Sequence, residues 1–290
     1  VTVRHRAAVL GHPVDHSLSP VLHRSAYAAL GLADWAYERR DVTEEQLGEV
    51  IAGLDETWAG LSLTMPLKQV VIPLLDDVEP LARAVGAVNT VLIQRTGAGR
   101  LLIGANTDVH GLVAALREAL DGADPAGPAV VLGAGATAAS ALAALGELGF
   151  PRPTVLVRSP GRAGAVVRAA HGMGVEPQIV RWDRGLPDVA RAGLLVSTVP
   201  AGAADALAAE LARAGTDERP DGAVLLDVVY SPWPTPLAAQ WAGGGGRVAP
   251  GWAMLLHQAA EQVRLMTGRA APIRAMREAL LGALEAGRGD

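Results

Sequence analysis

The stretch Ala129-Val130-Val131-Leu132, followed directly by Gly133-Ala134-Gly135-Ala136-Thr137 and an alanine-rich run, constrains the fold more than any other part of the chain. Four consecutive apolar residues read as a strand buried on both faces, which a parallel sheet covered by helices provides. The turn Gly133-x-Gly135, with Ala138 in place of a third glycine, leads without a linker into a helix predicted to end near Gly149. Small residues there let the backbone approach a pyrophosphate, whose charge the helix N-terminus stabilises. A ligand-free tight turn would use the same glycines, so the downstream sequence decides between the two. Runs at Thr154–Val157, Gln178–Val180, Leu194–Val196 and Val224–Asp227 alternate with helical patterns. That is a doubly wound, Rossmann-type domain, and Gly133, Ala134, Gly135, Ala136 and Thr137 are expected to bind a dinucleotide.

The end of the second strand of such a domain selects the cofactor. An NAD binder places a carboxylate there for the ribose 2′-hydroxyl. Here the strand ends Val157-Arg158-Ser159, with Arg162 shortly after. Two cations and a hydroxyl suit a 2′-phosphate through charge-assisted bonds, so the expected cofactor is NADP (NADPH). Solvated surface arginines are the competing reading.

Upstream, short β-rich runs alternate with helical patterns, the mark of a further α/β domain with parallel strands. A strand is predicted at Ala7–Leu10 and another at Gly60–Thr64. Ser19-Pro20 reads as an N-cap and first helical proline, opening a helix to Leu30, and Thr43-Glu44-Glu45-Gln46 as a capping box. Val88–Gln94 and Arg100–Ile103 form a predicted hairpin across Thr96-Gly97-Ala98-Gly99, and a helix comes next, from about Thr107 to Leu120. Two amphipathic segments, Trp252–Met266 and Pro272–Ala286, come last.

Composition excludes several classes of function. A formal charge of -5 lacks the basic surplus that phosphate-backbone binding requires, so no nucleic acid partner is expected. No segment reaches the ~18 uninterrupted apolar residues of a membrane span, and nothing resembles a signal peptide, so the expected location is cytoplasmic without membrane association. The absence of cysteine removes disulfides and thiolate chemistry, and the histidines show no ligand spacing, so no metal is expected. Lys68 is the only lysine among 25 basic residues, and Asn89 and Asn106 are the only asparagines. A chain that otherwise uses arginine keeps a lysine where the proton must be exchangeable, although one leftover surface lysine is the alternative.

Gly11-His-Pro-Val-Asp-His-Ser-Leu-Ser-Pro-Val-Leu-His23 resembles the opening motif, and Gly60-Leu-Ser-Leu-Thr-Met-Pro-Leu-Lys68 the catalytic segment, of shikimate dehydrogenases. Gly86-Ala-Val-Asn-Thr90, Gly104-Ala-Asn-Thr-Asp108, Ser197-Thr-Val-Pro200, Asp227-Val-Val-Tyr-Ser-Pro-Trp-Pro-Thr-Pro-Leu237 and Gly251-Trp-Ala-Met-Leu-Leu-His-Gln258 continue the likeness in order along the chain. The resemblance implies an N-terminal α/β substrate domain plus the Rossmann-type NADP-binding domain, with the C-terminal helices returning to the first domain. The implied boundaries are 1–106 with 256–290, and 107–255. It further implies reduction of 3-dehydroshikimate to shikimate in aromatic amino acid biosynthesis, by a monomer or homodimer acting on a small molecule.

By the same resemblance Lys68 and Asp108 are catalytic, and the immediate proton donor of the two is open at this point. Substrate contacts fall on Ser17, Ser19, Thr64, Lys68, Asn89, Asp108, Tyr230 and Gln258. Cofactor contacts fall on the glycine turn, Arg158, Ser159, Arg162, Thr198, Val228 and Gly251. Ser62 stands where many family members have asparagine, and His12, His16 and His23 read as structural or solvent-facing. The competing readings are a quinate or quinate/shikimate dehydrogenase using NAD, a folate-type dehydrogenase, and a binding protein that keeps the fold without turnover.

Overall fold

The computed structural model describes residues 2–97, 99–215 and 218–287, so Ala98 of the predicted hairpin tip and the side chain of Arg162 lie outside the described residues. The chain divides into two units: one comprises the chain up to Asp108 together with the segment from Leu255 onward, the other Val109–Met254.

The first unit is built on β1 (His5–Gly11), β2 (Trp35–Asp41), β3 (Trp58–Leu63), β4 (Asp77–Val78), β5 (Thr90–Thr96) and β6 (Gly99–Ala105), ordered β2-β1-β3-β5-β6-β4. β1 runs parallel to β2 and β3, whereas β5 is antiparallel to both β3 and β6. The sheet is therefore mixed rather than parallel throughout, because the tight β5–β6 connection can only reverse the chain. One consequence positions the site. Leu10 pairs with Leu63, Ser62 with Thr90, and Thr90 with Ala105, so the ends of β1, β3 and β6 and the start of β5 meet at one edge of the sheet.

Helices α1 (Ser19–Ala29), α2 (Glu44–Ala52), α3 (Leu67–Val70) and α4 (Pro80–Val85) lie between these strands in sequence. The expected N-cap of α1 is displaced by one residue. Leu18 takes that position in a right-handed helical conformation (φ -90°, ψ 0°), Ser19 is already helical, and Ser17 Oγ accepts from the Ser19 N–H at 3.3 Å. The capping box of α2 is present, with Gln46 Oε1 accepting from the Thr43 N–H at 3.0 Å. Leu10, Leu61, Leu63, Leu67, Val88 and Val91 form the centre of this unit's core.

Helix α5 (Asp108–Leu120) leads into the second unit. There β7 (Ala129–Leu132), α6 (Ala136–Glu147), β8 (Thr154–Val157), α7 (Gly164–Gly172), β9 (Gln178–Arg181), α8 (Leu186–Ala190), β10 (Leu194–Ser197), α9 (Asp205–Arg213), β11 (Val224–Asp227), α10 (Pro236–Gly243) and β12 (Arg247–Pro250) succeed one another. All six strands are parallel, in the order β12-β11-β10-β7-β8-β9. The order reverses between β7 and β10, the switch point at which such sheets bind ligands beyond their strand ends. Leu132, Leu156, Leu195, Leu225 and Trp241 are buried in its core. From Leu255 the chain rejoins the first unit through α11 (Gly251–Thr267) and α12 (Ile273–Ala286), and α12 packs against α1.

Candidate active site

Four of the expected residues form one bonded cluster at the convergent edge of the first sheet. Lys68 is the second residue of α3, just beyond β3, and its carbonyl accepts from the Val88 N–H at 2.8 Å. Its Nζ donates to Asp108 Oδ2 at 2.6 Å. Asp108 opens α5, where a carboxylate is favoured by the helix dipole. With side-chain exposures of 15% and 5%, the pair is largely withdrawn from water, so removing either partner would strand a charge.

The second carboxylate oxygen is held as firmly. Asp108 Oδ1 accepts from Asn89 Nδ2 at 2.8 Å, while Asn89 Oδ1 accepts from the Thr107 N–H at 2.8 Å. A carboxylate accepts and a backbone N–H donates, so these two bonds fix which way the Asn89 amide points. Gln258, on α11, accepts from Asn89 Nδ2 at 3.2 Å and donates to the Leu255 carbonyl at 3.2 Å. Lys68, one of whose three donors is on Asp108, can deliver a proton to an oxygen on which negative charge develops.

Ser17, Ser19 and Thr64 stand on loops and a helix start at the same edge of the sheet. Ser17 and Ser19 are buried, and the Ser17 carbonyl accepts from Arg39 Nη2 at 2.6 Å. Thr64 comes directly after β3, its N–H on the Leu10 carbonyl at 2.9 Å. Tyr230 belongs to the second unit, in the loop after β11, and is half-buried. That loop is tied back by Asp227, which accepts from Thr235 Oγ1 at 2.7 Å and from the Val229 N–H at 3.3 Å. Burial pushes the Asp227 carboxyl above the usual carboxylate range, against the pull of these hydrogen bonds.

In the second unit the glycine turn leaves β7 at Gly133, whose φ of +108° favours glycine. A Cβ there would lie 2.7 Å from Thr198 Oγ1, which donates to the Leu132 carbonyl at 2.7 Å. Gly135 is the N-cap of α6 and offers no side-chain cap, and the space a Cβ would take is open. Ala136 and Thr137 begin the helix, so its first N–H groups face a cradle that fits a pyrophosphate. Gly251 abuts the Val228 carbonyl, with which a Cβ would collide. At the end of β8 both Arg158 and Ser159 are exposed, and residues 158–163 include no carboxylate. The donor set thus fits a dinucleotide with a 2′-phosphate.

Four residues that pattern reasoning left unassigned, Thr107, Thr90, Gln262 and Tyr37, complete the first unit's polar network together with His23, read from the sequence as structural or solvent-facing. Gln262 had a readable signal, since it lies four positions after Gln258 on the same helix face. Thr107 lies inside the Gly104–Asp108 motif. His23 is fully buried, whereas His12 and His16 are exposed. Among the described residues no group of three or more His, Asp or Glu side chains is placed to hold a metal, and no helix is long and apolar enough to cross a membrane.

A Rossmann-type unit joined to an α/β unit with a buried lysine–aspartate pair defines a two-domain dehydrogenase architecture. Residues 9–91 match the shikimate dehydrogenase substrate binding domain, and residues 251–281 the shikimate 5'-dehydrogenase C-terminal domain. The shikimate dehydrogenase (NADP(+)) of Geobacter metallireducens is 38% identical over 96% of this chain and 96% of its own. The crystal structure of Mycobacterium tuberculosis shikimate dehydrogenase superposes with a TM-score of 0.82 at 41% identity, covering 96% of this chain and 99% of that one. A shikimate 5-dehydrogenase of Thermus thermophilus, crystallised with NADP(H) and shikimate, gives a TM-score of 0.79 at 34% identity over 96% and 99% of the two chains. The chain belongs to the shikimate dehydrogenase family.

Proposed function

We propose that the chain interconverts 3-dehydroshikimate and shikimate with NADP, a step of aromatic amino acid biosynthesis. The observation that carries this reading is the contact of Lys68 Nζ with Asp108 Oδ2, supported on the other carboxylate oxygen by Asn89. NADPH supplies the hydride. Gly133, Ala134, Gly135, Ala136 and Thr137 hold its pyrophosphate, Arg158, Ser159 and Arg162 its 2′-phosphate, and Thr198, Val228 and Gly251 the remainder. Ser17 and Ser19 take the substrate carboxylate through their hydroxyls, and Thr64, Asn89, Asp108, Tyr230 and Gln258 take the ring hydroxyls.

Ketone reduction develops an alkoxide that must be neutralised as it forms. The Lys68 ammonium gives it a proton, and the amine takes the proton back in the reverse direction, which a guanidinium cannot do. Asp108 keeps Lys68 aimed while Asn89 keeps Asp108 in place. The substrate and catalytic residues other than Tyr230 belong to the first unit, and the cofactor residues to the second. A monomer or homodimer in the cytoplasm suffices for this chemistry, and the net negative charge favours neither nucleic acid nor an anionic membrane as partner.

The deciding experiment is a panel of shikimate and quinate against NADP and NAD, read by the absorbance of reduced nicotinamide. Shikimate with NADP should give the highest kcat/KM. A higher value for quinate with NAD, or no turnover in any combination, would overturn the reading.

A further inference from the structure

Behind Asn89 a second set of buried polar side chains extends the network away from the Lys68–Asp108 pair. Gln262 Nε2 donates to Thr90 Oγ1 at 2.9 Å and to the Asn89 carbonyl at 3.3 Å. Its Oε1 accepts from Ser62 Oγ at 2.9 Å and lies 3.2 Å from His23 Nε2. Ser62 Oγ accepts in turn from the Tyr37 hydroxyl at 2.7 Å, and the His23 and Tyr37 rings stack with centroids 3.9 Å apart. His23, Tyr37, Ser62, Thr90 and Gln262 are all buried, so water cannot substitute for these partners.

The Asn89 amide and the Asn89 carbonyl set the direction of the donors along this run. The Asn89 amide is already fixed, NH2 toward Asp108 and Oδ1 toward the Thr107 N–H. Gln262 Nε2 faces the Asn89 carbonyl, which only accepts, so its NH2 also donates to Thr90 Oγ1, whose own hydrogen points to Asn89 Oδ1 at 2.9 Å, with Thr107 Oγ1 farther off at 3.3 Å. Gln262 must then turn its Oε1 to Ser62 and His23. Burial lowers the His23 pKa to about 4, so the ring is neutral, with Nε2–H donating to Gln262 and Nδ1 accepting from the Tyr27 hydroxyl at 3.4 Å. The donors of Tyr37, Ser62, Gln262, Thr90 and Asn89 therefore all point toward the Asp108 carboxylate, and aligned bonds of this kind strengthen one another.

We infer that Gln262 is a positioning residue for the reaction: its amide, on the Thr90 hydroxyl and on the Asn89 carbonyl, braces Asn89, whose own amide holds Asp108 against Lys68. The inference rests on the acid/base reading of the Lys68–Asp108 pair. It gives Ser62 the part of an anchor for Gln262.

Two variants test it. Gln262→Met keeps the length of the side chain and removes both polar ends, and Thr90→Val cuts the link to Asn89 while leaving Gln262 its other partners. Steady-state kinetics with shikimate and NADP, normalised to the sites that bind NADP, should show kcat lowered about 10- to 100-fold with KM for shikimate little changed. Combining the two should cost less than the sum of the single effects, because both act on Asn89. Should Gln262→Met fail to fold, Thr90→Val carries the test alone. Wild-type kcat per NADP-binding site in either folded variant, a loss seen only in the yield of such sites, or fully additive effects would each overturn the inference. A wild-type enzyme inactive on shikimate would instead overturn the functional reading beneath it.

Discussion

Lys68 Nζ lies 2.6 Å from Asp108 Oδ2, forty residues apart in sequence, because the loop after β3 and the start of α5 reach the same edge of one sheet. Exchange of this one amine for a permanently charged group separates its two capacities. In Lys68→Arg the charge and the pairing with Asp108 are kept, whereas the exchangeable proton is lost. We expect kcat to fall about 10²- to 10⁴-fold with little change in KM for shikimate. Near wild-type kcat would show that the side chain contributes charge alone.

The buried pair Ser17 and Ser19 supplies hydroxyl donors close to a helix start, a suitable seat for a carboxylate. Replacing both by alanine removes charge-assisted bonds worth about 1.5–3 kcal/mol each. The KM for shikimate should rise at least tenfold while the KM for NADP is unaffected. Unchanged KM for shikimate would place the carboxylate elsewhere.

Arg158 is exposed at the end of β8 with no carboxylate nearby in sequence. Arg158→Ala should raise the KM for NADP several-fold and leave that for NAD nearly constant, since only the former has a 2′-phosphate to lose a partner. Parallel changes with both cofactors would assign the arginine to a feature they share.

His23 makes stability depend on pH in a definite direction. Its pKa falls from 6.5 to about 4 on folding, chiefly through burial, against the smaller opposing effect of its bond to Gln262. Between these values the unfolded chain binds a proton that the native chain does not, so stability is lost as pH drops below 6.5 and is unaffected by this group above it. By pH 5 the loss from His23 amounts to about 2 kcal/mol. Urea unfolding at pH 7 and pH 5 should show that extra loss in the wild type relative to His23→Gln, whose carboxylates titrate in the same way. Equal losses in both would mean that the imidazole is not the responsible group.

The second unit was legible because its strands are continuous apolar runs punctuated by glycine, a pattern that burial on both faces imposes. The bonded cluster was legible through motif resemblance and through the rarity of lysine and asparagine in this chain. β2 was not, since Trp-Ala-Tyr-Glu-Arg-Arg-Asp shows only Tyr37 fully buried in an edge strand otherwise covered by charge, and alternation is weak there. β12, Arg-Val-Ala-Pro at the edge of its sheet, lacks the apolar run that marks β7, and β4 has only two residues. The cap at Ser19 was misplaced by one residue because Leu18 adopts a helical conformation that its sequence does not announce. Gln262 escaped because its one sequence signal, a place one helical turn after Gln258, does not reveal its partners Thr90, Ser62 and His23, which lie far off along the chain.

The split composition of the first unit bears on the order in which the chain acquires its structure during synthesis. Val109–Met254 is continuous, so the nucleotide unit has every strand it needs as soon as β12 has been made. The first unit must wait for α11, because Gln258 and Gln262 supply the missing partners of Asn89, Thr90, Ser62 and His23. Until then those groups have water or one another, and a nascent chain that ends before Leu255 carries every strand of the nucleotide unit while the network supporting Lys68 and Asp108 is still incomplete.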